Sequence, residues 1–485
     1  MTASTDPLLP SPGQRASCRG HLATIAAIAT PAGPGGIGIV RISGAKAWEV
    51  GLTLFRASRP WPNPRHPPTR RLFHGHVIDP SVNEAVDEVL CAFFRAPHSY
   101  STEDTVEWQG HSGPAALRRL LQLALEQGCR LAQPGEFTLR AFLGGRLSLD
   151  QAEAVAQLIG AQSDQEARLA LAGLAGGLGQ RLAPPRQGLL AVAAAVEAGI
   201  DFPEDLAELD GPGLAQTLEA QVLAPLAGLL DERRRRRVYA EGALVVLCGR
   251  PNVGKSSLFN ALLGRQRAIV HALAGTTRDA LEEPLLLGGV ACRLVDTAGL
   301  GLGAAQGALA SLDELGRQAA RERLAQADLT LLVLDGSQPL SAEDQDLLAD
   351  SAARPCLLAV NKCDLPPAWD LAALQRADGA GALRVSAQSG AGLEALAAAL
   401  AARLTGSEPE PAPGEVLANQ RQALALQQAC EAAEEARRLL TRPEPAVELV
   451  SLELGAALAA LGQVDGLGAP DEVIDEVFSR FCVGK

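Results

Sequence analysis

The sequence predicts a multidomain α/β plus α protein, and three observations lead to this fold class. Short alternating apolar runs mixed with helical stretches fill the first third of the chain, which is typical of an α+β domain. Strand-like runs alternate with helical patterns between residues 242 and 405, which indicates an inserted α/β domain. Helical patterns rich in alanine and leucine flank this insertion, so we expect one discontinuous all-α helical domain. A chain of 485 residues has room for about three domains.

We predict a flexible tail at residues 1–20 and an α+β domain at 21–146. The tail is rich in Pro and Ser and lacks the long apolar run of a secretory signal or a membrane span. Within the domain, Arg41 and Glu107 alternate with apolar neighbours, so both side chains are expected to point away from the core. By this pattern alone they and Arg146 are solvated surface charges.

The helical domain is predicted at residues 147–241 and 406–485. Five consecutive arginines, Arg233–Arg237, close its first part. They predict a solvated helix end, with contact to RNA phosphates as the alternative. Phe478 and Phe481, near the end of the second part, are apolar anchors in a chain that is only 3% aromatic.

Charge and cysteine content limit the classes of protein that fit. The net charge of −13 argues against a generally basic nucleic-acid-binding protein, although it leaves room for a local basic patch. The nine cysteines form no C-x-x-C pair, which indicates reduced thiols and no zinc site. We therefore expect a cytoplasmic protein.

The stretch from Leu244 to Asn260 has the pattern of a buried strand, a glycine-bounded loop and the start of a helix. Gly249, Gly254, Lys255 and Ser256 match G-x-x-x-x-G-K-[ST], the phosphate-binding P-loop. Backbone N–H groups of such a loop converge on phosphate oxygens, the lysine approaches the β- and γ-phosphates, and the serine hydroxyl can ligate Mg²⁺. The sequence therefore predicts a nucleotide-binding domain at residues 242–405.

Three later motifs follow predicted strands or loops, and the one at Asn361–Asp364 indicates guanine as the base. Thr277 and the stretch Asp296–Gly299 are placed to complete Mg²⁺ coordination and to sense the γ-phosphate. Asp364, in the motif Asn361–Asp364, can accept two N–H bonds from the Watson–Crick edge of guanine, whereas adenine offers no such donor pair. Ser386–Gln388 follows another strand and can cap the base through backbone N–H groups. The order of the motifs, most of them at strand ends, predicts a guanine-nucleotide-binding domain.

Six segments outside these motifs carry a resemblance to a known family. They are Ala29–Gly44, Ala96–Tyr100 with Glu103 and Asp104, Pro134–Thr138, Arg140–Leu143, Gln151–Ala154 and Phe481–Lys485. With the G motifs, they make the chain resemble the MnmE (also called TrmE) family of tRNA-modification GTPases over nearly its whole length past residue 20.

The resemblance implies a function and an architecture in which a Ras-like G domain is inserted within the discontinuous helical domain. The N-terminal domain is expected to be similar to folate-binding domains and to form a homodimer. With the FAD protein MnmG, in a heterotetramer, the family adds an aminomethyl or carboxymethylaminomethyl group at C5 of the wobble uridine, position 34, of certain tRNAs. The implied one-carbon donor is 5,10-methylenetetrahydrofolate, with a 5-formyl analogue as a related ligand. No membrane span is expected.

The family's folate-site positions correspond to Arg41, Glu107, Arg146 and Lys485 in this sequence. Basic residues suit the glutamate and pterin parts of a folate. Cys482 belongs to the same terminal signature, and its role is left open.

The resemblance also implies a K⁺ ion beside the phosphates, where a cation can neutralise developing charge. Its predicted ligands are the Asn252 side chain and the backbone carbonyls of His271, Leu273 and Thr276; for the His271 imidazole no role is expected. Mg²⁺ is assigned to Ser256 and Thr277. The predicted GTP contacts are Asn252, Val253, Gly254, Lys255, Ser256, Ser257, His271, Ala272, Leu273, Ala274, Gly275, Thr276, Thr277, Asp296, Thr297, Ala298, Gly299, Asn361, Lys362, Asp364, Ser386, Ala387 and Gln388.

The residue that orients the attacking water departs from the family pattern. Leu300 stands where Ras has its water-orienting glutamine, and the family instead uses a glutamate in E-x-x-G. Asp313 aligns with that glutamate, but Asp is one methylene shorter and Glu314 is adjacent. We therefore predict Asp313 as the catalytic carboxylate, with Glu314 as the competitor, beside Asn252 and Lys255 as the other catalytic residues.

One alternative function belongs to a different class. A ribosome-assembly type of GTPase switch, which performs hydrolysis only, can carry the same P-loop variant. The N-terminal domain and the terminal Cys-Val-Gly-Lys distinguish the two hypotheses and favour tRNA modification.

Overall fold

The computed structural model describes residues 23–484 apart from residues 32, 34, 62, 64, 202–209, 267–281, 297–321, 353, 370–380 and 407–409. The chain divides into two compact units. The first consists of Met1–Ile159, Gly173–Gly228 and Gln420–Lys485, and the second consists of Gly160–Ala172 and Leu229–Asn419. The five predicted domain ranges, 1–20, 21–146, 147–241, 242–405 and 406–485, stay a prediction.

Strands and helices of the described residues are numbered here in chain order. The strands are β1 (Ile25–Ile28), β2 (Gly38–Ser43), β3 (Phe55–Ala57), β4 (Leu72–Asp79), β5 (Glu84–Phe94), β6 (Thr105–Gly110), β7 (Arg130–Leu131), β8 (Ala243–Cys248), β9 (Glu282–Leu287), β10 (Val290–Asp296), β11 (Leu329–Asp335), β12 (Cys356–Asn361) and β13 (Leu383–Arg384). The helices are α1 (Ala47–Leu54), α2 (Pro114–Glu126), α3 (Glu136–Leu143), α4 (Leu149–Gly160), α5 (Asp164–Leu174), α6 (Gly177–Asp201), α7 (Gly211–Leu218), α8 (Ala224–Glu241), α9 (Lys255–Gln266), α10 (Ala342–Ser351), α11 (Leu393–Thr405), α12 (Gln420–Leu440), α13 (Val447–Asp465) and α14 (Asp471–Ser479). A π-helical turn, Glu219–Leu223, joins α7 to α8.

The N-terminal part of the first unit is a seven-stranded sheet in the order β3-β4-β5-β6-β2-β1-β7. Its neighbours pair antiparallel except β1 and β7, which are parallel. The alternation in β2 buries Val40 and Ile42 and leaves Arg41 on the opposite face, as the sequence pattern predicts. In the β2–β6 register, Arg41 lies directly opposite Glu107. The sheet therefore brings two of the predicted site residues together.

The helices of the first unit are held by packing and by a partly buried ion pair. Glu153 of α4 accepts two hydrogen bonds of 2.7 Å from the guanidinium of Arg421 on α12. The same guanidinium donates to the carbonyl oxygen of Gln463 on α13 at 2.7 Å. Because a planar guanidinium fork matches a carboxylate bidentately, one side chain joins three helices that are far apart in the sequence.

Helix α13 is the one described helix that is long and apolar enough to cross a membrane, by length and composition alone, with a mean hydropathy of 1.5. Its residues Val450, Leu454 and Leu461 are buried against the rest of the first unit, and 39% of its apolar window is buried. The contacts that Gln463 and its neighbours make with Arg421 place this helix inside a bundle of helices. The predicted absence of a membrane span stays a prediction.

The second unit is built on a six-stranded sheet in the order β13-β12-β11-β8-β10-β9. All neighbouring pairs are parallel except β9 and β10. Every residue of β11 and β12 is buried, as expected for strands of a parallel sheet covered on both faces. The carboxyl ends of β8, β10, β11 and β12 share one edge of the sheet, and predicted nucleotide motifs follow the ends of β8, β10 and β12.

Three of the five arginines in the run do not form a solvated helix end, whereas Arg234 and Arg235 are exposed. Arg233 donates to the carbonyl oxygen of Ala418 at 3.0 Å, Arg236 pairs with Glu415, and Arg237 pairs with Asp328. These side chains are bound to protein partners within the second unit, so the prediction of a solvated helix end is wrong for them. They fix α8 to the segments before β11 and α12.

Candidate functional site

The P-loop lies where the pattern predicts it, between the central strand β8 and helix α9. Gly249 has φ of +146° and Gly254 has φ of +97°, both in the region that favours glycine. A Cβ atom at Gly249 would lie 2.3 Å from the Val333 carbonyl oxygen, and one at Gly254 would lie 2.3 Å from Asn361 Nδ2. The fold itself therefore requires both glycines of the motif.

Lys255 is folded over the loop that precedes it. Its Nζ donates hydrogen bonds of 2.8 Å to the carbonyl oxygens of Gly249 and Arg250. Burial lowers the pKa of Lys255, while the negative charge of Asp296 acts in the opposite direction. The ammonium group is thus held beside the loop, which is where a β- or γ-phosphate would need a positive charge.

Ser256 and Asp296 form the part of the site that suits Mg²⁺. The Ser256 hydroxyl donates a 2.6 Å hydrogen bond to Asp296 Oδ2, at the carboxyl end of β10. A hydroxyl and a carboxylate are the hard oxygen ligands that Mg²⁺ prefers, directly or through water. The residues present therefore fit the ion that the motifs predict.

The base motif, Asn361–Asp364, is joined directly to the P-loop. Asn361 Nδ2 donates to the Val253 carbonyl oxygen at 2.9 Å, and Asn361 Oδ1 accepts from the Ala387 N–H at 3.0 Å. Lys362 Nζ donates to the Asn252 carbonyl oxygen at 3.0 Å. The amide side chain of Asn361 thus links three predicted contact segments at the edge of the sheet.

Asp364 and Ser386, two further residues of the predicted base site, differ in solvent exposure. Asp364 is exposed, so its carboxylate is free to meet a base from solvent, and Ser386 is buried beneath the loop. The Ser386 N–H donates to the Ala391 carbonyl oxygen at 2.9 Å, which closes the turn that carries Ala387 and Gln388. The structure therefore brings together the described P-loop and base-motif residues.

Asp335 is a site residue that the sequence reasoning missed. Its Oδ2 accepts from Lys362 Nζ at 2.7 Å, and its Oδ1 accepts from the Ser337 backbone N–H at 2.9 Å. Burial raises the pKa of the Asp335 carboxyl, but the hydrogen bonds from Lys362 and Ser337 outweigh this effect, and the net shift is downward. Its position at the end of β11, on the same edge as Asp296, was the signal available in the sequence.

Part of the predicted nucleotide site lies outside the described residues. The predicted contacts concerned are His271, Ala272, Leu273, Ala274, Gly275, Thr276, Thr277, Thr297, Ala298 and Gly299. The two candidate carboxylates, Asp313 and Glu314, also lie there, as does Lys485 of the folate prediction.

A second cluster, in the first unit, unites the other predicted folate residues around Tyr100. Arg41 Nε donates to Glu107 Oε1 at 2.8 Å, and its guanidinium carbon lies 5.3 Å from the centroid of the Tyr100 ring. Arg146 donates to the Tyr100 carbonyl oxygen at 2.6 Å, and its guanidinium carbon lies 4.8 Å from the same centroid. The patch thus combines two guanidinium groups, a carboxylate and an aromatic face.

The segment before residue 485 packs beside this cluster. The Gly484 carbonyl oxygen lies 3.5 Å from Arg41 Nη1, and the Cys482 carbonyl oxygen accepts from the Gly135 N–H at 3.4 Å. Gly484 has φ of +97°, and a Cβ there would lie 2.3 Å from the Ile28 carbonyl oxygen. Only a glycine allows this close approach to β1, while the Cys482 side chain is exposed.

The parallel sheet, the P-loop and the base motif define a P-loop nucleotide-binding protein with the site of a G domain. Comparison with known proteins gives the family. A family model for the MnmE helical domain matches residues 149–482, and one for the N-terminus of the GTP-binding protein TrmE matches residues 24–146. The chain belongs to the MnmE family of tRNA modification GTPases.

Relatives in three bacteria match nearly the whole chain. A protein of Symbiobacterium thermophilum named tRNA modification GTPase MnmE is 44% identical over 467 residues, which are 95% of this chain and 99% of the relative. Proteins of the same name from Chloroflexus aurantiacus and Syntrophobacter fumaroxidans are 42% and 40% identical, again over 95% of this chain and over 99% and 98% of the relatives. Among solved structures, the G domain of the T. maritima FeoB iron transporter is 28% identical and covers 33% of this chain and 98% of its own, with a TM-score of 0.25.

Proposed function

We propose that this chain couples GTP hydrolysis to the modification of C5 of the wobble uridine, position 34, in certain tRNAs. Family membership supports the GTPase activity and the class of substrate. One observation carries the finer proposal: a complete P-loop and base motif occur in the same chain as a cluster of two arginines, a carboxylate and a tyrosine with the Gly484 segment packed beside it. A hydrolysis-only switch has no need of this second cluster.

Discrimination for guanine follows from the exposed carboxylate of Asp364. A carboxylate held at a base site by the fold accepts the two N–H groups of guanine, and adenine would leave this charge without donors. Asn361 positions the motif through its bonds to Val253 and Ala387. The fixed position of this motif against the P-loop supports GTP as the substrate.

Hydrolysis is proposed to combine the fixed charge of Lys255 with two cations. The Ser256 hydroxyl and the Asp296 carboxylate would hold Mg²⁺, with Thr277 proposed to join them, and the Asn252 side chain would contribute to a K⁺ site with the carbonyls of His271, Leu273 and Thr276. When bound, these ions neutralise charge that develops on the phosphoryl oxygens. Asp313, with Glu314 as the competing candidate, is proposed to orient the attacking water.

The Tyr100 cluster is proposed to bind a reduced folate, 5,10-methylenetetrahydrofolate, as the one-carbon donor. The Tyr100 face offers a stacking surface for a planar ring, and the guanidinium groups of Arg41 and Arg146 offer bidentate donors to carboxylates or ring carbonyls. Glu107 can accept from ring N–H groups while it fixes Arg41. Lys485 is proposed to add a further cation.

The proposal also includes partners and a compartment. A homodimer formed through the N-terminal domain would join MnmG, an FAD protein, in a heterotetramer that acts on tRNA in the cytoplasm. These assignments follow from the family resemblance, and the absence of a membrane-spanning segment is proposed with them.

Two measurements on the purified chain test the proposal. Binding of 5-formyltetrahydrofolate, followed by calorimetry, should be saturable, and GTP hydrolysis should be markedly faster in KCl than in NaCl. GTP hydrolysis without any affinity for a reduced folate would favour the hypothesis of a ribosome-assembly type of switch. Equal hydrolysis rates in the two salts would remove Asn252 from the proposed K⁺ site.

A further inference from the structure

Arg250, the second residue of the P-loop motif, makes an ion pair that none of the predicted nucleotide contacts includes. Its Nε donates a 2.8 Å hydrogen bond to Asp344 Oδ1, on the first turn of helix α10. The Asp344 side chain is only 2% exposed, whereas that of Arg250 is 21% exposed. A carboxylate so deeply buried is stable only when it is paired, so this contact contributes to both the loop and the helix.

The two carboxylate oxygens of Asp344 bind two different segments, the cap of helix α10 and the P-loop. Oδ2 accepts from the Ser341 backbone N–H and hydroxyl at 2.9 Å each, and the Ser341 hydroxyl accepts from the Asp344 N–H, which completes a capping box at the start of α10. Oδ1 is directed to Arg250. The N-terminus of α10 is therefore a rigid support against which the P-loop can be fixed.

Side chains from outside the P-loop fix both its first half and its second half. Its second half is fixed through the carbonyl oxygens of Asn252 and Val253, which accept from Lys362 and Asn361. Its first half is fixed through the Arg250 side chain. Lys255 also contacts the first half, but a phosphate in the site competes for the ammonium of Lys255. The Arg250–Asp344 pair, by contrast, does not depend on that ammonium.

We propose that Arg250 is a positioning residue that raises nucleotide affinity by holding the first half of the P-loop against α10. It acts through Asp344 and the loop backbone, whose N–H groups must converge on the phosphates before a nucleotide arrives. A loop already fixed in its binding conformation loses less conformational freedom when the nucleotide binds. Because the loop contacts the nucleotide in both the ground state and the transition state, losing the pair should raise KM and leave kcat nearly unchanged.

The test measures the dissociation constant of a fluorescent GDP analogue and steady-state GTP hydrolysis in three variants of the full chain. Arg250→Gln and Asp344→Asn each remove the ion pair, and the asparagine keeps an acceptor for the Ser341 cap. Each should weaken GDP binding about tenfold, as expected for the loss of a charge-assisted hydrogen bond. The dissociation constant of the double variant should lie within about twofold of that of either single variant. The reason is that all three variants lose the same interaction.

Ser341→Ala is the matched control, since it removes the cap of α10 and leaves the ion pair. It should lower the melting temperature while its GDP affinity stays near that of the wild-type chain. Equal weakening by Ser341→Ala would overturn the proposal, because the effect would then come from the stability of α10. Weakening by Arg250→Gln without weakening by Asp344→Asn would also overturn it, by showing that Arg250 contacts the nucleotide directly.

This inference rests on the nucleotide-binding part of the proposed function, and the two fail differently. A wild-type chain that binds no GDP would contradict the proposed function. A wild-type chain that binds GDP, with variants of unchanged affinity, would contradict only the role of Arg250. The assay requires no folate, tRNA or partner protein.

Discussion

The side-chain nitrogen of Asn361 donates a 2.9 Å hydrogen bond to the carbonyl oxygen of Val253, so the base motif and the P-loop are one connected structure. The two residues are 108 positions apart in the sequence. The proposed base site and the P-loop are thus linked, because a shift of either loop breaks a buried hydrogen bond. This link makes Asn361 the most informative single residue of the nucleotide site.

Replacing Asn361 by Ala should weaken GTP binding about tenfold to a hundredfold and also lower stability. The buried Val253 carbonyl and the partly buried Ala387 N–H lose their hydrogen bonds, at up to about 1–3 kcal/mol for each group left unsatisfied. Fluorescent nucleotide titration and thermal melting check the two effects. An unchanged nucleotide affinity would show that the two loops are held together by other contacts.

Replacing Asp364 by Asn should change which base is preferred. The amide offers a donor where the carboxylate was an acceptor, so it matches the O2 carbonyl of xanthine in place of the amino group of guanine. Preference between GTP and XTP should shift toward XTP by a factor of about 10⁴, the scale for a site built to hydrogen-bond one substrate. Competition binding measures this ratio. A preserved preference for GTP would show that Asp364 does not contact the base.

Replacing Ser256 by Ala should raise the Mg²⁺ concentration needed for half-maximal GTP hydrolysis. The variant removes one hard oxygen and leaves the Asp296 carboxylate without its 2.6 Å hydrogen bond. A magnesium titration of the hydrolysis rate gives the shift, which we expect to be at least about tenfold, the lower end for the loss of a group that supports a metal site. The same half-maximal concentration in variant and wild type would exclude Ser256 as a ligand.

Replacing Arg41 by Gln should reduce affinity for 5-formyltetrahydrofolate by at least about tenfold, since a charged hydrogen-bond donor is lost. The Glu107 carboxylate would lose its partner at 2.8 Å, and the Tyr100 face would lose the adjacent guanidinium. Arg56→Gln is the matched control, because Arg56 is exposed and pairs with Asn83 at the other end of the same sheet. Equal folate affinity in both variants would contradict the assignment of the cluster.

The imidazole of His111 should have an elevated pKa. Its Nδ1 lies 2.6 Å from Asp87 Oδ1, and this hydrogen bond, together with the charge of Asp87, raises the pKa of His111 above 6.5. The folded state therefore gains stability that is fully present below pH about 6.5 and is lost as the pH rises through the elevated value. An NMR titration of the imidazole should show the elevated pKa in the wild type and its return toward 6.5 in Asp87→Asn. Identical titrations in both proteins would contradict the pairing.

The elements of the nucleotide site follow from the sequence because local chemistry determines them. Gly249 and Gly254 are required by positive φ and close backbone approach, and such requirements are visible as residue types at fixed spacing. The alternation around Arg41 likewise predicts its face of β2, and its register opposite Glu107 follows once the two strands pair. These features depend on a few neighbouring residues or on a single strand pairing.

Tertiary contacts could not be read from the pattern in the same way. The contacts of Asp335 and Asp344 with Lys362 and Arg250 have no local signature, because the fold brings these partners close from distant positions in the sequence. Part of the arginine run was misinterpreted because consecutive charges normally indicate a solvated surface, whereas here Glu415 and the Ala418 carbonyl oxygen, from a distant segment, pair with Arg236 and Arg233. A local rule fails where a partner comes from far along the chain.

The central claim is that this GTPase acts on the wobble uridine of tRNA with a folate-derived carbon, and its most direct test is mass spectrometry of position 34. Transfer RNA is purified from a strain that lacks this chain and from the same strain supplied with the wild-type gene. The account predicts unmodified C5 at position 34 without the chain and restored aminomethyl-type groups with it. Identical modification at position 34 in the two strains would contradict the account.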